Sequence, residues 1–167
     1  LWGKVSAFSL ASQNELAAAY RHLSVRRGAF ALTALYEPFG LAPLEAMAAG
    51  LPAAVTRNGG PSESLVDQAT GQEFGVLVDP ADPADIARGL LRLVGPGNEW
   101  DTFHHAGRER VLARYTWDRT AAGYVAVIEE ILAGHLPIPP YFGDPRPETD
   151  LAVQSLSTVW PTGEAAQ

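Results

Sequence analysis

The sequence predicts a doubly wound α/β domain, a Rossmann-like parallel sheet with helices on both faces. Two observations predict it. Apolar runs of strand length alternate with stretches whose apolar residues recur at helical spacing. The strand-like runs are apolar throughout rather than alternating, as strands buried on both faces are. In such sheets ligands bind at the carboxyl ends of the strands.

Lys4 to Phe8 reads as a short buried strand, and Asn14 to Leu23 as a helix with Leu16, Tyr20 and Leu23 on one stripe. Ala29 to Leu35 is the second strand. Pro43 to Ala49 reads as a helix with Pro43 at its first position, stopped by Gly50 and Pro52. Ala53 to Thr56 is a third strand, followed by the turn Asn58-Gly59-Gly60-Pro61, and Gly75 to Val78 a fourth. Asp82 caps a helix that Pro83 opens, with Asp85 in its first turn and Ile86, Leu90 and Leu93 as its stripe. A helix over Glu99 to Ala113 follows. Thr116 caps the last one, with Tyr124, Val127, Ile128 and Ile131 predicted to face inward. Four strands are few for such a sheet, and the chain opens directly into a strand-like run, so a start within the domain is expected. Residues 1–134 are expected to form this partial domain. Residues 135–167 hold six of the 13 prolines, show no stable period and read as an irregular tail.

Composition limits the function. Nineteen acidic against 12 basic side chains give a net charge of -7, which argues against non-specific nucleic-acid binding. The absence of cysteine removes disulfides, thiolate metal sites and a cysteine nucleophile together. It fits a cytoplasmic enzyme. No apolar run reaches the length of a membrane span. The four histidines are too scattered for a metal site, and His22, His104 and His105 read as surface residues of helices.

The segment Tyr36 to Gly50 carries the chemistry, because it lies where a strand ends and a helix begins. Gly40 lets backbone approach a ligand, and the free N–H groups of the first helical turn favour a phosphate. Glu37 before the helix and Glu45, placed in its first turn, can flank that anion. Carboxylates accept paired hydrogen bonds from vicinal hydroxyls. A ligand with a sugar on each side of a pyrophosphate suits all three features. Read bare, the same residues also suit a solvated loop and a helix-dipole partner.

Tyr36-Glu37-Pro38-Phe39-Gly40 through Glu45 to Gly50 resembles the E-x7-E motif of retaining glycosyltransferases of the GT-B architecture. Asn58-Gly59-Gly60-Pro61, Gly75 to Pro80, the helix from Asp82 and Arg114-Tyr115-Thr116-Trp117 follow in the family's order. The resemblance runs from about residue 4 to 133. It is strongest to the sucrose-phosphate synthase and sucrose synthase branch. It implies the donor-binding C-terminal domain of an enzyme that moves a hexosyl group, with retention, from a nucleoside diphosphate sugar such as UDP-glucose to a sugar or sugar phosphate. It implies that Glu37 lies by the reacting centre, that Phe39, Gly40 and Leu41 hold donor sugar and phosphate by their amides, and that Glu45 holds the ribose. Phe8 to Leu10 fall where the family contacts the base. Asn58, Gly59 and Gly60 either approach the pyrophosphate or make a tight turn that touches nothing. No metal or other cofactor is expected.

The family's basic pair that clamps the pyrophosphate has no counterpart here, and its acceptor-binding N-terminal domain is not in this sequence. The resemblance therefore predicts weak donor binding and no turnover by this chain alone. Two other functions stay open. One is a module that binds a nucleotide sugar and catalyses nothing. The other is a half-domain whose open sheet edge pairs with another chain or with a second copy.

Overall fold

A computed structural model describes residues 4–135. The elements are α1 (Gln13–Val25), β1 (Phe30–Leu32), α2 (Leu41–Ala48), β2 (Ala53–Thr56), α3 (Pro61–Ser64), β3 (Val76–Val78), α4 (Pro83–Val94), α5 (Trp100–Arg114) and α6 (Trp117–Leu132). The chain divides into two compact units, Leu1–Gly123 and Tyr124–Gln167. The proline-rich tail expected over 135–167 lies outside the described residues, save His135.

In the first unit, β1, β2 and β3 form one parallel sheet in that order. Phe30 pairs with Ala53 and Leu32 with Val55; Ala54 pairs with Val76 and Thr56 with Val78. All four residues of β2 are buried, as the central strand's unbroken apolar run demands. Alternation along the strand divides the core. Ala53 and Val55 pack with Leu44 and Met47 of α2, Leu65, Phe74 and Val111 of α5. Ala54, Val76 and Val78 turn to the other face, against Leu93 of α4 and Phe103 of α5. Helices thus cover both faces, as expected.

Three caps hold where the sequence places polar residues before helices. Ser12 Oγ accepts from the Glu15 amide at 3.2 Å, Asp82 Oδ1 from the Ala84 amide at 2.9 Å, and Thr116 Oγ1 from the Arg119 amide at 3.3 Å.

Four expectations need correction. Lys4 to Phe8 forms no strand: Val5 and Phe8 are exposed, and among the described residues no neighbouring strand offers them a ladder. The strand expected over Ala29 to Leu35 stops at Leu32, near the end of its register with β2. The α2 helix begins at Leu41, two residues before Pro43. In α6 no residue is buried, and Tyr124, Val127, Ile128 and Ile131 are exposed rather than inward. Their helical spacing marks an apolar stripe, but spacing does not supply the surface that covers it.

At the sheet's carboxyl end, Asp85 ties strand ends to α4. Its Oδ2 accepts from the Asp79 amide and from Arg57, each at 2.7 Å, and its Oδ1 from Arg88 at 3.0 Å. The Asp79 amide, then Arg88 and Arg57, hold this carboxyl below its ordinary value of 3.8. A lowered carboxyl stabilises the fold above its unfolded value and loses that contribution as pH falls through the folded one. Asp85→Asn is therefore expected to lower the thermal midpoint at neutral pH. The gap to wild type should narrow as pH falls below 3.8, which melting curves against pH would test.

Candidate functional site

The site is built where the loops after β1 and β2 are fastened together. The Glu37 amide donates to Asn58 O and the Gly60 amide to Glu37 O, each at 3.0 Å. Asn58 Nδ2 donates to Leu35 O at 2.9 Å. Glu37 and Gly59 form an isolated parallel bridge, which resumes the ladder beyond the regular strands. Gly59 has φ +106°, and a Cβ there would stand 2.1 Å from Glu37 O. A Cβ on Gly60 would stand 2.7 Å from Pro38 O. The close approach of the two loops itself requires both glycines, a reason that the bare sequence did not reveal.

Gly40, in the left-handed region with φ +79°, turns the chain into α2. Because that helix starts at Leu41, Glu45 stands in its second turn, not the first. Pro43 stands third, where the helix still needs no N–H from it. The Glu45 side chain is exposed. Its charge is felt by Tyr20, whose phenol is pushed above its ordinary value first by burial and then by Glu45.

The N-terminus of α2 is partly filled by the protein itself. Glu37 Oε1 accepts from the Gly40 amide at 3.0 Å and from the Phe39 amide at 3.4 Å. Among the described residues, the amides of Leu41 and Ala42 have no protein acceptor. Glu37 thus acts as a carboxylate cap on the turn, bonded to two of the amides that the sequence left free. A carboxylate three residues before an amide at a helix start is the signal that could have revealed it.

Beside this turn opens a cleft of about 640 Å³, lined by Tyr36, Phe39, Leu41, Gly59, Gly60 and Tyr115, with Ser62 to Ser64 along one wall. Phe39 and Leu41 are strongly exposed. Of the predicted site residues, Phe39, Gly40, Asn58, Gly59 and Gly60 are hydrogen-bonded or bridged to Glu37, and Leu41 lines the cleft. Phe8 and Leu10 do not line the cleft; they lie exposed in the segment before α1.

His104 is structural rather than merely superficial. Its Nδ1 donates to Gly50 O at 2.6 Å, and its ring stacks on Trp100. One side chain that the sequence did not single out is Arg110, a buried arginine of α5 whose guanidinium reaches the backbone beside the cleft.

Comparison with known proteins gives consistent relatives. The family model described as "Glycosyl transferases group 1" matches residues 2–110. A probable sucrose-phosphate synthase of Thermosipho melanesiensis is 39% identical over 121 residues, covering 72% of this chain and 26% of that protein. Sucrose-phosphate synthase 4 of Arabidopsis thaliana is 36% identical over 135 residues, covering 81% of this chain and 12% of its own length. The chain thus spans about a quarter of the bacterial relative and about an eighth of the plant one. Among solved structures, a sucrose-phosphate synthase from Thermosynechococcus elongatus superposes with TM-score 0.64 at 28% identity, over 79% of this chain and 31% of that one. The catalytic domain of starch synthase IV from Arabidopsis thaliana, bound to ADP and acarbose, superposes with TM-score 0.53 at 17% identity, over 77% of this chain and 26% of that one, a likeness of fold.

Proposed function

The chain belongs to the glycosyl transferases of group 1, and we propose that it is the donor-binding part of a retaining hexosyltransferase of the sucrose-phosphate synthase kind. In this reading the donor is a nucleoside diphosphate sugar, UDP-glucose first among the candidates. The acceptor is a sugar or sugar phosphate held by a domain outside this chain. One observation carries the reading: the N-terminus of α2 offers the Leu41 and Ala42 amides free, with Glu37 before them and Glu45 after them.

A diphosphate set against those amides meets fixed dipoles, and they strengthen their hold as charge builds on the leaving phosphate. Glu45 accepts two hydrogen bonds from the ribose hydroxyls. Glu37 orients the hexose by its hydroxyls. To do so its carboxylate leaves the Phe39 and Gly40 amides, which become available to donor sugar and phosphate. Donor arrival and the placing of Glu37 are thereby coupled. No metal has a part in this scheme, since the amides face the developing charge directly. The basic clamp and the acceptor pocket come from elsewhere in the complete enzyme, so this chain alone binds donor weakly and turns nothing over.

Calorimetric titration of the chain with UDP, ADP and GDP tests the reading. Saturable binding of UDP is expected, weakened about 10- to 100-fold by Glu45→Ala, the worth of a charge-assisted hydrogen bond. Equal affinity in wild type and Glu45→Ala would remove the ribose from Glu45.

A further inference from the structure

We propose that Arg110 is a positioning residue for this site, acting on Glu37 through α3; its bearing on donor binding rests on the function proposed above. Arg110 is the one buried charged residue among the described residues, with its side chain 7% exposed. A buried guanidinium is costly unless its donors are met. Here its Nε faces Ser64 O at 3.4 Å, one terminal nitrogen faces Glu63 O at 3.5 Å, and the other lies 3.6 Å from Asp67 Oδ2. Phe74 lies against the guanidinium at 4.5 Å, with Tyr115 farther off at 5.9 Å. Every polar partner falls on the stretch 63–67, at and just beyond the end of α3.

That placement has a consequence at the other end of the same short helix. The α3 helix has four residues, and its last carbonyls lack helical partners of their own. Arg110 supplies donors to two of them from α5. The helix starts at the Gly59-Gly60 turn, where the Gly60 amide holds Glu37 O at 3.0 Å. Fixing the end of α3 therefore fixes Gly60, and Gly60 fixes the backbone of Glu37. Stability alone does not call for a charge here, because an apolar side chain of similar volume commonly does as well in a core. A planar fork of five donors is suited to holding two adjacent carbonyls and a carboxylate in one geometry.

The test is amide hydrogen exchange on the chain and its Arg110→Met variant, with UDP affinity measured on both. Met fills the volume without donors. Exchange of the Glu37 and Gly60 amides is expected to accelerate about tenfold or more, while the Val55 amide of β2 changes less than about twofold. UDP affinity is expected to fall about tenfold as the loop loses its preorganised geometry. Where Arg110→Met does not fold, Arg110→Lys, which keeps charge but not the fork, gives the same comparison with a smaller effect. Uniform acceleration of all three amides would mean that Arg110 only packs, and would overturn the proposal. So would unchanged exchange at Glu37 and Gly60, or local loosening with UDP affinity intact. If the loops loosen locally but even wild type binds no UDP, positioning of Glu37 by Arg110 stands and the donor reading fails.

Discussion

Gly59→Ala is expected to destabilise the chain by about 2–5 kcal/mol, near the top of the range for one substitution. The new Cβ would be driven to 2.1 Å from the Glu37 carbonyl oxygen, which is backbone and cannot swing aside. The φ of +106° adds strain for any L side chain. Relief requires the loops after β1 and β2 to part, which breaks the Glu37–Asn58 and Gly60–Glu37 bonds together. Gly71→Ala is the control, since Gly71 also has positive φ, +72°, but has nothing within 4 Å of the added atom. Its cost should be about 1–2 kcal/mol, that of the backbone conformation alone. Denaturant midpoints of both variants separate the terms. Equal losses would show that the loop contact carries no weight.

Glu37→Ala in the complete enzyme is expected to lower turnover about 10²–10³-fold, the scale for losing one group that serves the transition state. Nucleoside diphosphate affinity should hold or rise, because the substitution frees the Phe39 and Gly40 amides from their internal carboxylate. That pattern, kcat falling without a weaker donor complex, separates catalysis from mere capture. Affinity lost with turnover at saturation unchanged would assign Glu37 to donor binding alone.

Much of this was legible in the residues, and the parts that were not share physical causes. The central strand β2 was read to the residue, because a central parallel strand is apolar on both faces and Pro52 and Arg57 bound it. The start of α4 was equally plain from Asp82-Pro83, whose cap and fixed φ act locally. The start of α2 was misplaced by two residues because Pro43 suits the first helical position but is tolerated throughout the first turn. The cap by Glu37 left one trace in the letters, its spacing of three from Gly40; the left-handed turn that brings carboxylate and amide together is not written there. Arg110 looks like any charged residue of a polar helix, since its burial is decided by carbonyls that lie more than forty positions away in sequence. The α6 stripe shows the opposite failure: periodicity announced an apolar face, and Tyr124 and Ile128 on it are exposed.

The amide spectrum of the chain during titration with UDP-glucose would locate the donor on the protein. A donor held at the N-terminus of α2 predicts that the largest shifts fall on Phe39, Gly40, Leu41 and Ala42, with smaller ones beside Glu45. Saturating shifts confined to the cleft wall at Ser62 to Ser64 and Tyr115, with the amides of Phe39 to Ala42 unmoved, would contradict it.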